Sequence, residues 1–407
     1  MVRSYIGFAR LNWQQLLFGA LLMALSSFGQ TYFVSVSGSY FRDEFNLSDG
    51  GLGATYAAGT LLSALTLTWA GRLIDYTSVR RFTWAVALLL AGACLLVAIS
   101  ANFFMLAIAF YFLRLGGQGL MTHTALTATA RAFPQDAGKA LGVIALGLSA
   151  AQGLFPIVGV TMMEHLGWRI AWGLNALLVI AGVFVALIFL PRHGDAAIRS
   201  RKDRSDGKVS TSRPVWRDAR LLLTLPAILA GPFIVTGFFF HQARLAEQKG
   251  WDLATVAASF AVFAIVQAIA SLVVGPVIDK IGPKRLLPFF LLPQALAMLL
   301  LGLMSAPWIA PIYMLLMATS MALASTLATA LWVDLFGPRE LARVRSFVEA
   351  GTVVASGASP IAMGLLIDAG IPLAWQALGC CGYVVIASII AGKVKRDKSL
   401  QLSDEQE

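Results

Sequence analysis

Apolar residues in this chain run rather than alternate. Stretches of roughly 20 residues with few or no charges follow one another, separated by short polar turns, and a helix of that length crosses about 30 Å of hydrocarbon. The pattern predicts helices over 13–37, 51–74, 82–100, 103–130, 140–163 and 170–190, and a second set over 221–246, 253–278, 286–304, 309–333, 344–367 and 372–392. Backbone N–H and C=O groups find no water partner in lipid, so a spanning chain must be helical or a closed barrel. The runs lack the ten-residue alternation of barrel strands. The expected fold is an all-α integral membrane protein with twelve transmembrane helices, numbered here as spans 1 to 12.

Composition and charge sharpen this picture. The chain of 407 residues is 58% hydrophobic and 13% charged, with mean hydropathy +0.76, against about 25% charged in soluble domains. The formal net charge is +10, but its placement points to topology. One side of the predicted bundle collects Arg3, Arg10, Arg72, Arg80, Arg81, Arg131, Lys139, the 191–220 segment, Lys280, Lys284, Arg285, Arg339, Arg343 and Arg345. The other holds Arg42, Arg169, Arg244 and Lys249. Positive residues concentrate on the cytoplasmic side, so both termini are expected in the cytoplasm of a cell bearing the protein in its inner membrane. Membrane lipids and a small solute are the expected partners, nucleic acid is not, and the chain is read as a monomer. The first apolar run exceeds the ~7–15 residues of a signal-peptide core and reads as a retained helix.

Between Pro191 and Arg220 the sequence turns polar and basic. This divides the chain into an N-terminal six-helix bundle (1–190), a cytoplasmic linker (191–220), a C-terminal six-helix bundle (221–392) and a disordered tail (393–407). Cys94, Cys380 and Cys381 all lie inside apolar runs. They form no disulfide framework or zinc motif, and no metal or cofactor is expected.

The halves repeat. "GRLIDYTSVRR" at 71–81 returns as "GPVIDKIGPKR" at 275–285, an offset of 204 residues. At the same offset Pro134 falls on Pro338, and Gly153 and Pro156 in span 5 fall on Gly357 and Pro360 in span 11. Two six-helix halves carrying the same landmarks indicate a parallel repeat, an arrangement in which transporters place substrate near the bilayer midplane. Gly142, Gly147, Gly153 and Gly159 in span 5 predict close helix packing, with bends at Pro156 and Pro360. Gly231, Pro232 and Gly237 predict a break or bend in span 7.

On these residues the chain resembles the major facilitator superfamily over nearly its whole length. The loop signature of that family is more complete in the second copy, as Gly275, Asp279, Lys280, Gly282, Lys284 and Arg285. In the first copy Tyr76 and Ser78 replace a basic residue and a glycine, while Gly71, Asp75, Arg80 and Arg81 remain. "RLGGQGLM" in span 4 resembles the family's Arg…Gln-Gly motif through Arg114, Gln118 and Gly119, and "LGWR" precedes span 6. The resemblance implies a major facilitator fold. It implies a cytoplasmic latch in which Asp75 and Asp279 accept bonds from neighbouring helix starts, with Arg80, Arg81, Lys280 and Arg285 around them. Arg131 belongs to the same end of span 4. Asp334, Arg343, Arg345 and Glu349 read as an intracellular gate.

Residues that the repeat does not copy are the candidates for substrate chemistry. Arg114 falls on Ala318, His123 on Leu327 and His241 on Ser37. A charge in mid-membrane costs at least about 2.5–3.5 kcal/mol on insertion scales and normally faces a cavity or a partner. At 100° per residue Tyr111, Arg114, Gln118, Thr122 and Thr129 share one face of span 4, and a guanidinium offers a planar fork to a carboxylate. Two readings stay open for Arg114: anchor for an anionic substrate, or a structural arginine bonded to backbone carbonyls. His123, on the opposite face, reads as packing. Gln30 and Tyr32 in span 1, His241 at the end of span 7, Gln267 in span 8 and Tyr313 in span 10 complete the expected substrate set.

No carboxylate lies near the middle of a span, which disfavours a cationic substrate. The leading function is a secondary transporter of a small organic anion by alternating access, with protons as one coupling route. Its length and span 4 resemble the monocarboxylate or oxalate–formate branch, although span 8 lacks an interior arginine. The alternatives are proton-driven export of amphipathic compounds, uptake of a larger solute such as a siderophore or muropeptide, and a non-transporting receptor. No metal motif or nucleophile–base spacing suggests an enzyme.

Overall fold

The computed structural model describes residues 2–190 and 218–394. The expected linker, apart from 218–220, and the expected tail beyond 394 lie outside the described residues. The described residues are all-helical, as the long apolar runs require. A short helix, Val2–Leu11, precedes span 1. Span 1 is broken into Trp13–Gly29 and Thr31–Phe45, bent by 48°. Spans 2 to 6 are Asp49–Asp75, Val79–Ala98, Phe103–Ala132, Ala137–Leu166 and Trp168–Ile188. Span 7 runs Ala219–Phe240 and resumes as Gln242–Lys249. Span 8 is Leu253–Ile281 and the core of span 9 is Leu292–Leu303. Spans 10 and 11, Ile309–Gly337 and Arg343–Asp368, meet at Gly337, whose φ of 75° turns the chain. Span 12 is Leu373–Ala391.

Two compact units form, Met1–Ser205 with Phe240–Arg244, and Asp206–Phe239 with Leu245–Glu407. In the first, span 3 packs on span 6, span 1 on span 5, and span 2 on span 4. In the second, span 9 packs on span 12 and span 8 on the helices of spans 10 and 11. The pairing of 3 with 6 returns as 9 with 12, as a repeated half should. Large apolar side chains such as Leu65, Trp69, Leu88, Phe104, Leu177 and Ile188 stand exposed, the outer faces of helices solvated by lipid rather than water.

Three local outcomes refine the sequence expectations. The helices of spans 5 and 11 continue through Pro156 and Pro360. Span 7 likewise continues through Pro226 and Pro232, and its interruption falls at His241, where the next residues enter the first unit. The two signature turns also differ. The second copy closes at Gly282, whose φ of 91° is the left-handed region glycine favours, with Pro283 opening the next helix. In the first copy a 3-10 turn, Gly71–Asp75, ends earlier and Ser78 sits at φ −68°. Its hydroxyl accepts from the Arg81 N–H at 3.3 Å, capping span 3. Serine is therefore the better residue at this position of the first copy.

Arg169 fastens span 6 to the end of span 3. Its guanidinium donates to the Ala98 and Ser100 carbonyls at 3.0 and 2.7 Å, pairs with Glu44 at 2.8 Å and stacks over Trp168 at 4.2 Å. These carbonyls are orphans of a helix C-terminus. Arg169→Ala is expected to lower stability by about 2 kcal/mol, because bonds from a charged donor are worth ~1.5–3 kcal/mol. Arg169→Lys should recover less than half, since an ammonium cannot serve both carbonyls and stack. Thermal unfolding of the purified protein in detergent reads both.

Candidate functional site

The site grows from a collision between two helices. Span 4 contains Gly116, Gly117 and Gly119 in a π-helical stretch, Arg114–Met121. π-bulges inside helices concentrate at functional positions. Gly117 crosses span 1 at Gly29 so closely that a Cβ on Gly117 would lie 2.6 Å from the Gly29 N and Cα. Span 1 loses its helix there. Gln30 is extended, at φ −83° and ψ 148°, and a new helix starts at Thr31.

Arg114 occupies the gap. Its Nη1 donates to the Gly29 carbonyl at 3.2 Å and to Thr31 Oγ1 at 3.3 Å. The guanidinium lies 5.2 Å from the centre of the Tyr56 ring, and the Tyr56 hydroxyl donates to Thr31 Oγ1 at 2.8 Å. Arg114 is 6% exposed, its Nε has no hydrogen-bond partner, and no carboxylate pairs with it among the described residues. The charge is thus hydrogen-bonded but uncompensated. Gln118, one turn on, is exposed. Tyr32 is buried and its hydroxyl bonds Ser27 Oγ at 2.6 Å.

Arg114, Gln30 and Tyr32 therefore come together at the break, and Tyr56 and Thr31 join them. Tyr111 does not: its hydroxyl bonds Thr66 at 2.9 Å and lines an apolar groove of about 900 Å³ with Leu47, Ala54, Ala58, Leu62 and Ile108. The π-helical stretch, Arg114–Met121, shifts the register of the positions that follow Arg114 in span 4. Gln267 and Tyr313 belong to the second unit. Gln267 is half-buried, and Tyr313 is buried with no partner for its hydroxyl among the described residues. His123 packs against span 2, its Nε2 3.1 Å from the Gly71 carbonyl.

His241 lies at the opposite end of span 1's second half, in a charged cluster. Asp49, at the start of span 2 and 3% exposed, pairs with Arg42 at 3.2 Å and Arg244 at 3.0 Å, and its Oδ1 is 3.9 Å from His241 Nδ1. The adjacent Gln242 is fully buried and donates to the Tyr32 carbonyl at 2.8 Å and Ser35 Oγ at 2.6 Å. Sequence reading did not single out Asp49, Tyr56 or Thr31. The available signal was the seven-residue spacing of Asp49 and Tyr56, which places both on one face of span 2.

The expected gating residues are distributed. Asp75 forms an ion pair with Arg131, a side chain rather than a helix start. Together with His123, Arg72 and Thr127 they border a cavity of about 150 Å³. Arg80 donates to the Leu187 carbonyl at 3.3 Å, while Arg81, Lys280 and Arg285 are exposed. The Asp279 side chain lies outside the described residues. Arg343 pairs with Glu340 at 3.5 Å and Arg345 with Glu349 at 3.8 Å, each along its own helix. Asp334 is half-buried. At the entry to span 7, hydrogen bonds from Arg220 hold the Asp218 carboxyl below its ordinary range, and Arg220 also reaches the Leu335 carbonyl at 2.6 Å. Among the described residues no cluster of His, Cys, Asp or Glu is arranged to hold a metal.

Comparison with solved structures places this fold among transporters. A bacterial homolog of the human lysosomal transporter Spinster, in an inward-facing and unoccupied conformation, aligns with a TM-score of 0.70 at 14% identity, covering 93% of this chain and 95% of that one. A variant of the nucleoside transporter NupG aligns at 0.75 and 12% identity, covering 94% and 98%. A variant of the peptide transporter POT aligns at 0.70 and 13%, covering 93% of each. At these identities the likeness is one of fold. A search of curated protein sequences found no match. The family model for the Major Facilitator Superfamily matches residues 19–318 and 242–405. With twelve spans, a repeated half and that match over most of its length, the chain belongs to the Major Facilitator Superfamily and is a multi-pass membrane transporter, not an enzyme.

Proposed function

We propose that the transported solute is a small organic anion, with a monocarboxylate as the simplest member of the class, and that Arg114 is its anchor. One observation carries the reading: a guanidinium in mid-membrane, 6% exposed, held by a carbonyl and a hydroxyl but facing no carboxylate among the described residues. An isolated buried charge is costly until something neutralises it. A substrate carboxylate supplies the missing charge, and the unbonded Nε and the exposed Gln118 are the groups nearest in sequence to receive it. Gln30 and Tyr32 border the same break. Gln267 and Tyr313 are the candidate solute-binding side chains of the second unit. Alternating access would carry the solute across an inner membrane with both termini cytoplasmic, and the Asp75–Arg131 pair, Arg80, Arg81, Asp279, Lys280, Arg285, Asp334 and Glu349 would serve the cytoplasmic gate.

Uptake of labelled organic anions into proteoliposomes, with and without a pH gradient, tests this. Native protein should take up at least one monocarboxylate, and Arg114→Lys, which keeps the charge and loses the fork, should reduce that uptake on the order of 100-fold. Equal uptake by native and variant protein would overturn the anchor. A second reading, export of amphipathic compounds, draws on the apolar groove around Tyr111, whose volume of about 900 Å³ falls within the range of small-molecule sites. Dye efflux without anion uptake would decide for it.

A further inference from the structure

The break in span 1 leaves an acceptor behind. In a continuous helix the Gly29 carbonyl would take the Phe33 N–H. Here Phe33 and Val34 both donate to the Gln30 carbonyl instead, at 3.1 Å each, and the Gly29 carbonyl is an orphan of the kind that ends a helix. Arg114 satisfies it from span 4 through Nη1 at 3.2 Å. Thr31, the first residue of the helix beyond the break, takes a second Nη1 bond at 3.3 Å. One nitrogen thus staples the two halves of span 1 across Gln30.

Counting protons turns that staple into a statement about the ligand. A guanidinium carries five N–H donors, two on each Nη and one on Nε. Both Nη1 protons are spent on span 1. Nε is unbonded, and among the described residues no hydrogen bond runs from Nη2. A carboxylate can meet the fork end-on, across Nη1 and Nη2, or side-on, across Nε and Nη2. The end-on edge has already given up its Nη1 proton. The side-on edge keeps both of its parallel donors.

Thr31 can play this part only as an acceptor, and Tyr56 keeps it one. Tyr56 is 1% exposed and donates its hydroxyl to the same Thr31 Oγ1 at 2.8 Å. Both lone pairs of that oxygen are then filled, and its own proton must point away from the guanidinium. The Tyr56 ring lies 5.2 Å from Cζ of Arg114. That contact attracts the cation as a whole and does not choose between its edges. The bonds through Nη1 make that choice.

We propose that Thr31 is a positioning residue for the solute: together with the Gly29 carbonyl it ties Nη1 down, so that Arg114 presents its Nε–Nη2 edge and recognises a planar anion offering two oxygens side-on, a carboxylate. The inference rests on Arg114 being the anchor and adds which edge binds and what holds that edge. Thr31 acts through Arg114, so its hydroxyl governs affinity, while the rate at which a bound solute crosses is set elsewhere.

Two measurements on the full chain test this. In proteoliposomes, initial uptake of labelled acetate, pyruvate and benzoate is followed over a range of concentrations. Thr31→Val keeps the shape and removes the acceptor. It should raise KM about tenfold, as loss of a bond to a charged group allows, with the maximal rate within about twofold of native. Thr31→Ser, which restores the hydroxyl, should return KM to within about twofold of native. The second measurement needs no solute. Thermal unfolding in detergent compares Thr31→Val in native protein and in Arg114→Met. The drop in Tm should shrink to less than half when the guanidinium is absent, the remainder being the acceptor lost to Tyr56. Should Thr31→Val fail to fold, Thr31→Ala serves in both measurements. An equal drop in the two backgrounds, a fall in maximal rate at unchanged KM, or no recovery in Thr31→Ser overturns the positioning role. Uptake that Arg114→Lys abolishes but Thr31→Val leaves at native KM sinks this inference and leaves the anchor standing. No uptake of any of the three anions by native protein overturns both.

Discussion

Gly117→Ala is expected to destabilise the protein by about 3 kcal/mol or more, at the upper end of what added methyl groups do in packed interiors. The reason is the identity of the atoms in the way. A Cβ at 117 meets the Gly29 N and Cα at 2.6 Å and the Ser26 carbonyl oxygen at 2.9 Å. All three are backbone, so no rotamer change relieves the contact, and spans 1 and 4 must move apart. That separation also pulls Arg114 from the Gly29 carbonyl, so transport should fall with stability. Gly142→Ala is the matched control. Gly142 lies inside the helix of span 5 with nothing within 4 Å of its added Cβ, and alanine there should raise helix stability by up to about 1 kcal/mol. Thermal unfolding of the three purified proteins in detergent measures both. Similar melting for Gly117→Ala and Gly142→Ala would show that the close crossing is not a constraint.

How much of this was legible in the sequence depends on the range of the interaction. The spans were readable because each is a local run of apolar side chains, and the repeat because both copies keep their glycines, prolines and charges. Arg114 was readable because a charge in mid-membrane stands out against its neighbours. Its surroundings were not, because the break at Gln30 is imposed by Gly117 from another helix, and nothing in "SSFGQTYF" by itself forces extended backbone. The π-helical stretch in span 4 was hidden because roughly one additional residue per turn leaves an apolar run looking the same. The Ser78 departure looked like the loss of a signature glycine, yet the earlier 3-10 turn makes that position a helix cap. Asp49 was the largest omission. It follows Ser48 and precedes two glycines, a sequence that reads as an ordinary helix start. Its burial comes from Phe240–Arg244, which no local pattern connects to it.

That burial makes Asp49 the position where a small chemical change should have the largest effect. Asp49→Ala is expected to cost about 3–5 kcal/mol, the usual consequence of removing one partner from a buried ion pair. Arg42, 9% exposed, would then lose its carboxylate partner at 3.2 Å, and Arg244 its ion pair at 3.0 Å. Asp49→Asn keeps the volume and one acceptor oxygen but not the charge, and should lie closer to the alanine variant than to native protein, because the charge carries most of the interaction. A double change separates pairing from packing. If the penalty arises from stranded arginines, Arg42→Met with Asp49→Asn should be more stable than Asp49→Asn alone by about 1 kcal/mol or more, since removing both charges of a buried pair is often close to neutral. The measurement is thermal unfolding in detergent across the four proteins. If the double variant is no more stable than Asp49→Asn, the carboxylate matters through its shape and hydrogen bonds.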